Sequence, residues 1–133
     1  MMTYMINRTI TANELAKLFV EAGIHRPVTN LVRLQQMLDH ADLLISAWDE
    51  QQLVGIARAL TDFSYACYLS DLAVAQDYQR QGIGQELLRR VQAAIGSEVT
   101  LVLLAAPSAM TYYPHVGFEA AANAFIIPRQ PFD

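Results

Sequence analysis

The stretch LSDLAVAQDYQRQGIGQELL, residues 69–88, joins an apolar run to an amphipathic one through a short loop with two glycines. Residues 65–74 are nearly all apolar or small, which is typical of a strand covered on both faces. Beyond the loop, apolar side chains return at helical spacing on one face: Ile83, Leu87, Leu88, Val91 and Ile95. A strand, a glycine loop and a helix in this order predict a backbone site for an anion.

Three anion-binding patterns compete for the loop QRQGIG, residues 79–84. A P-loop requires a lysine followed by Ser or Thr after its last glycine, and neither follows here. The dinucleotide fingerprint requires a third small residue, and this chain has Leu87 at that position. It also requires an acidic residue about 20 positions further on, which is missing. The third pattern, [QR]xxGxG, is matched by Gln79, Gly82 and Gly84. It indicates a pyrophosphate held by successive amides, and the alternative is a structural turn that binds nothing.

The remaining pattern follows the order β-α-α-β-β-β-α-β-α-β, in which hairpins and a helical crossover coexist, so the sheet should be mixed. Predicted strands are residues 3–7, 43–48, 53–60, 65–74, 99–106 and one or two within 118–127. Predicted helices are one from a capping box at Thr11 and Glu14 to Gly23, one over about 30–40, one after the glycine loop, and a short one within 107–116.

Composition limits the class of protein. The chain has 133 residues, which suits a single domain over residues 1–133, and its apolar fraction of 53% argues against disorder. Its formal net charge of −4 argues against nucleic-acid binding. No apolar run approaches the length of a membrane helix, and no secretory signal is visible. The lone cysteine, Cys67, fits a packed thiol in a reducing cytoplasm.

Together with its context, the loop resembles a known superfamily. Residues 69–88 resemble the core motif of the GNAT acyl-CoA-dependent N-acyltransferases, and YYPHVGFE, residues 112–119, resembles that family's [FY]YxxxGF element. The segment LVGIARAL, residues 53–60, is similar to its central hairpin strand. The resemblance implies an α+β fold with a central, mostly antiparallel mixed sheet, splayed between two strands and flanked by about four helices.

The same resemblance implies an N-acetyltransferase that moves an acetyl group from acetyl-CoA to a primary amine by direct attack. Tyr113 would be the general acid, because it lies four residues before Gly117, as the family's acid tyrosine does. Backbone groups of the strand end and the loop would bind the cosubstrate: Leu72, Ala73, Val74, Gln79, Arg80, Gln81, Gly82, Ile83, Gly84 and Gln85.

Three other candidate site residues each have two possible roles. Asp71, at the end of the apolar strand, is either a general base acting through water or a carboxylate bonded to local backbone. His25 and Arg26, in the loop after the first helix, would line the acceptor pocket or anchor that loop. No Cys/His cluster suggests a metal site. A homodimer is expected from the family, while the acceptor stays open between small molecules and peptides.

Two other classes of function compete with the enzyme. One is a non-catalytic module that binds acyl-CoA, and the other is a regulator whose loop binds the phosphates of a nucleotide.

Overall fold

Five strands form one open sheet, in the order β1-β2-β3-β4-β5, in the computed structural model, which describes residues 1–132. The strands are β1 (Met2–Ile6), β2 (Leu43–Asp49), β3 (Gln52–Thr61), β4 (Ala66–Val74) and β5 (Thr100–Val102). The helices are α1 (Ala12–Ala22), α2 (Leu31–Asp39), α3 (Ile83–Ile95) and the single turn α4 (Tyr112–His115). The chain divides into two units, residues 1–103 and residues from 104 onward. The single domain predicted over residues 1–133 stays a prediction.

The sheet is mixed, as predicted. The pairs β1–β2, β2–β3 and β3–β4 are antiparallel, whereas β4 and β5 are parallel because α3 carries the chain back across the sheet between them. The β4–β5 register holds only three residue pairs and stops at Tyr68 and Val102. The β3–β4 register is interrupted at Ser70, because Arg58 pairs with Asp71 and Ala59 pairs with Leu69. Ser70 is therefore the extra residue of a β-bulge.

Helices α1 and α2 cover the face of the sheet that carries Ile56. The predicted capping box begins α1: the Glu14 N–H donates to Thr11 Oγ1 over 3.1 Å, and the Thr11 N–H donates to Glu14 Oε1 over 3.0 Å. Gly23 ends the helix in the left-handed conformation, with φ at 75°. The core on this side contains Leu15, Leu18, Phe19, Leu34, Leu44, Trp48, Ile56 and Ala73.

Helix α3 packs on the opposite face, where Gly55 allows a close approach. A methyl group placed on Gly55 would lie 3.2 Å from Cγ2 of Ile83 and 3.3 Å from Cδ1 of Leu87. The five apolar residues predicted to share one face of this helix are all buried. The beginning of α3 is thus held firmly against β3, and the glycine loop lies immediately before it.

The second unit contains less regular structure than the sequence predicts. A 3₁₀ turn over Pro107–Ala109 begins with proline at its first position, and α4 ends before Gly117, whose φ is 104°. The prediction of strands within 118–127 is wrong: these residues form no strand in the structure. The run Ala120–Ala122 offers little apolar bulk, and Ala122 and Asn123 form a turn that interrupts the segment.

Strand β5 is also shorter than the predicted 99–106. It pairs with β4 alone, and Val102 is 43% exposed, so the segment is not the continuously buried strand that its apolar sequence predicts. None of the helices within residues 1–132 has the length and apolar character needed to cross a bilayer.

Candidate functional site

The glycine loop has the backbone conformation of an anion-binding turn. After β4 the chain makes a 3₁₀ turn at Gln76–Tyr78, and α3 begins at Ile83. Between them, Arg80 and Gly82 both have positive φ, at 66° and 84°. Backbone of this alternating kind turns successive N–H groups toward one concave side. Gly82 is the N-cap of α3, so its left-handed conformation requires glycine more than any other position of the loop does.

The backbone amides of residues 80–85 donate no hydrogen bond to any residue of the described chain. The first bond of the helix is donated by the Glu86 N–H to the Gly82 carbonyl over 3.0 Å. Helix termini normally satisfy such donors with a side-chain cap, which Gly82 does not supply. Six consecutive donors and the positive end of the helix dipole are therefore available to an anion at one place.

Two side chains fix the loop to the sheet. Gln79 Nε2 donates to the carbonyl of Val74 at the end of β4, over 2.8 Å. Just before it, the Tyr78 hydroxyl donates to Oδ2 of Asp49 at the end of β2, over 2.6 Å. This hydrogen bond is the main reason that the pKa of Tyr78 is raised. The loop is thus attached on both sides of β3 before any ligand binds.

The two arginines beyond the loop share one acidic partner on the same helix. The sequence alone suggests that Arg89 and Arg90 are solvated. Both donate to Glu86, over 2.7 Å for each guanidinium, and these bonds lower the pKa of Glu86 to about 2, while the Arg89 side chain stays 64% exposed. Arg90 also stacks on Tyr4, 4.5 Å from the ring centre. Arg80 is exposed and makes no ion pair with a described residue, so its guanidinium is available to an anion at the loop.

The outer edge of β4 is open where it approaches the loop. Residues 69–74 continue beyond the last pair with β5 and bond to β3 alone among the described strands. The Ala75 N–H donates to Val54 on β3 over 2.9 Å, and main-chain groups alternate between the two edges. Those of Leu72 and Val74 therefore face away from β3, whereas those of Ala73 face it. An extended ligand could pair with this edge as an added strand would.

Asp71 and Arg26, two of the predicted site residues, are brought together at the bulge. Asp71 is 1% exposed, and its two oxygens accept from Nε of Arg26 over 2.7 Å and from Nε of Arg58 over 2.5 Å. Arg26 also donates to the Ser70 carbonyl over 3.0 Å. The carboxylate is thus held by two guanidinium groups inside the core, an arrangement that favours charge pairing over proton abstraction.

Arg58 is the site residue that sequence reasoning missed. It is 5% exposed, and besides Asp71 it donates to Ser70 Oγ over 3.0 Å and to the Met37 carbonyl of α2 over 3.3 Å. A signal was present, because Arg58 is the only charged residue in the apolar run LVGIARAL. A buried arginine requires a buried carboxylate, and Asp71 is the carboxylate in the neighbouring apolar strand.

His25 lies beside the cluster but is exposed, and its carbonyl accepts from Nη1 of Arg26 over 2.8 Å. The structure places it in the loop between α1 and α2, as predicted from the sequence. Its role in acceptor binding stays a prediction.

Tyr113 belongs to the second unit, where it packs among aromatic rings. Its ring lies edge-to-face against Tyr112 at 5.2 Å between centres, and against Phe118 at 5.4 Å. Burial raises the pKa of Tyr112. Pro114 lies inside α4 without preventing the turn from forming. The general-acid role of Tyr113 stays a prediction carried by its place in the motif.

Cys67 and the metal-ligating residue types are the remaining candidates for chemistry within residues 1–132. Cys67 is buried, and burial is the main cause of its raised pKa, which disfavours a reactive thiolate. Among residues 1–132, no three His, Cys, Asp or Glu side chains lie close enough together to hold a metal ion.

Comparison with known proteins places this arrangement in a family. Residues 11–126 match the model of the acetyltransferase (GNAT) domain. One relative, the uncharacterized N-acetyltransferase ycf52 of Gracilaria tenuistipitata, is 29% identical over 84% of this chain and 64% of its own length. The chain therefore spans somewhat less than two thirds of that relative.

Solved structures have the same fold. A probable acetyltransferase from Staphylococcus aureus superposes with a TM-score of 0.83 at 20% identity, over 97% of this chain and all of its own. An aminoglycoside N-acetyltransferase solved in complex with CoA superposes with a TM-score of 0.68 at 14% identity, over 98% of this chain and 96% of its own. The chain belongs to the GNAT acetyltransferase family, which confirms the resemblance drawn from its two motifs.

Proposed function

We propose that this protein transfers an acetyl group from acetyl-CoA to a primary amine of a small molecule or peptide. The observation that carries the proposal is the set of six unbonded amides, residues 80–85, at the N-terminus of α3. These amides suit the pyrophosphate of CoA, because they supply donors and a helix dipole where the chain supplies almost no lysine. CoA is the ligand of one protein with this fold, the aminoglycoside acetyltransferase.

The pantetheine arm would pair with the open edge of β4. Leu72 offers both of its main-chain groups on that edge, whereas the Val74 carbonyl already accepts from Gln79 Nε2. The arm would therefore bond chiefly to Leu72 and to the Val74 N–H. Gln79 then acts by aligning the loop with the strand, while the amides from Arg80 to Gln85 bind phosphate oxygens.

The reaction is written as direct attack. The neutral amine adds to the thioester carbonyl, the tetrahedral oxyanion collapses, and the C–S bond breaks to release the CoA thiolate. The ammonium nitrogen of the tetrahedral intermediate gives its proton to solvent, so the product is a neutral amide. The Tyr113 phenol donates its proton to the departing thiolate and is reprotonated from solvent. We assign proton abstraction to no protein residue, since both oxygens of Asp71 accept from arginine.

The loop is tested by calorimetry with CoA and with ATP, comparing Gly82→Ala with Gly96→Ala. Both glycines have positive φ, at 84° and 85°, and a methyl group would meet nothing within 4 Å at either. Strain at Gly82 disturbs the amides beside it, so we expect CoA affinity to fall by about tenfold, equivalent to about 1.4 kcal/mol.

The Gly96→Ala control strains the other end of α3 and should leave CoA affinity unchanged. Tighter binding of ATP than of CoA by the unmodified protein would contradict the proposal in favour of a nucleotide-binding regulator.

The chemistry is tested by thiol release from acetyl-CoA against a panel of amines. Loss of the acid should lower turnover by about a hundredfold in Tyr113→Phe without changing acetyl-CoA affinity. Tyr112→Phe is the matched control, because the two rings are neighbours and only one is assigned to the reaction. Acetyl-CoA binding with no turnover on any amine would favour the non-catalytic module.

The compartment and the oligomeric state are proposed on fewer observations. The buried free thiol of Cys67 supports a reducing compartment, which we take to be the cytoplasm. A homodimer is proposed on the exposed apolar segment near the C-terminus.

A further inference from the structure

Four residues form a connected group at the β4 bulge, here called the bulge clamp: Arg26, Arg58, Ser70 and Asp71. Ser70 has no partner in the β3–β4 register, and its oxygens accept from side chains. Its carbonyl accepts from Nη2 of Arg26 over 3.0 Å, and its hydroxyl oxygen accepts from Nη2 of Arg58 over 3.0 Å. The two arginines thus hold the carbonyl and the hydroxyl oxygen of the bulge residue.

The clamp connects three parts of the fold. Arg26 comes from the loop of residues 24–30, between α1 and α2, and Arg58 comes from β3 and reaches the Met37 carbonyl of α2. Asp71 lies between the two guanidinium groups and is directly followed by Leu72. The loop is therefore bonded to β4 at two consecutive residues, Ser70 and Asp71, directly before the open edge.

The register of β4 beyond the bulge decides which groups face outward. A slip of one residue would turn the main-chain groups of Leu72 toward β3 and those of Ala73 outward. The bulge fixes this choice, and Arg26 supplies the donor to its unpaired carbonyl.

We propose that Arg26 is a positioning residue of the acyl-CoA site: it holds the β4 bulge in register and couples binding at the β4 edge to the loop of residues 24–30. The inference rests on the proposed function. Binding along β4 should reduce motion at Ser70, and the two bonds from Arg26 should carry that restraint into the loop. The loop should in turn favour the bound geometry of β4, since such coupling is reciprocal.

The test compares the unmodified protein with Arg26→Gln, using acetyl-CoA as the probe in calorimetry and in amide hydrogen exchange. The variant should fold, because Arg58 still pairs with Asp71 and the Arg26 side chain is 30% exposed. We expect acetyl-CoA to slow exchange in residues 24–30 of the unmodified protein. In Arg26→Gln that protection should disappear, and affinity should fall by about tenfold.

Two further variants separate geometry from charge. Arg26→Lys keeps the cation but cannot bond Asp71 and the Ser70 carbonyl in the same fork, so it should resemble Arg26→Gln. Lys17→Gln removes a cation from α1, where the side chain is 66% exposed, and should resemble the unmodified protein.

Each outcome decides the proposal. Acetyl-CoA binding without slower exchange in residues 24–30, or equal affinity and protection in Arg26→Gln, would overturn the clamp and leave the proposed function standing. Failure of the unmodified protein to bind acetyl-CoA would overturn the proposed function, and the clamp with it.

Discussion

At the scale of single residues, Asp71 shows how its surroundings determine the role of a carboxylate. The sequence allows either a general base or a locally bonded carboxylate, because a strand-end aspartate near a cleft suits both. The neighbours that favour pairing are Arg26, which is 45 residues away in the chain, and Arg58, which is 13 residues away. The sequence predicts Asp71 and Arg26 as site residues, but only the fold shows that they pair and that Arg58 joins them.

Asp71→Asn should reduce stability more than a typical surface substitution. Removing the charge leaves Arg58, which is 5% exposed, without full compensation in the core, at a cost of about 3 kcal/mol. Urea unfolding measures the loss. Asp77→Asn is the matched control, because Asp77 is exposed and should change the free energy of unfolding by less than about 0.5 kcal/mol. Unchanged stability with abolished turnover would instead give Asp71 a role in proton transfer.

At the scale of elements, α3 has a closely packed first turn on one face and ion pairs on the other. Its buried face was predictable, since the spacing of its apolar residues places them on one side and Gly55 permits close packing. The ion pairs on its polar face could not be predicted, because pairing among Glu86, Arg89 and Arg90 depends on rotamers as well as spacing. A related limit explains the wrong strands within 118–127, where local apolar content did not reveal the turn at Ala122 and Asn123.

Glu86→Gln should lower stability at neutral pH and leave it unchanged in acid. The pKa of Glu86 falls from 4.5 to about 2 on folding, so its contribution is complete above pH 4.5 and is lost as the pH falls toward 2. Thermal unfolding at several pH values should show the two proteins converging across that window. Glu98→Gln is the control, because Glu98 is exposed and has no ion pair with a described residue. A gap between variant and parent that persists in acid would contradict the assignment.

At the scale of the molecule, the fold was easier to predict than the reaction. Alternating and helical apolar patterns are local, so the sheet type and the element order as far as α4 followed from the sequence, while the family followed from the resemblance of two motifs. The clamp and the Tyr78–Asp49 bond join distant positions, and no local pattern encodes them. The acceptor is more difficult still, because the two motifs of the sequence concern the cosubstrate and the proton donor.

An exposed apolar segment near the C-terminus predicts that two copies of the chain associate. Phe125, Ile126 and Ile127 are 93%, 63% and 98% exposed, and three adjacent apolar side chains rarely face water without a partner. We expect the protein to dimerise in sedimentation velocity as its concentration rises, and Phe125→Ser with Ile127→Ser to shift it to monomer. Val20→Ser is the control, because Val20 is 64% exposed on α1 outside this segment. A monomer at every concentration would show that these side chains do not join two copies of the chain.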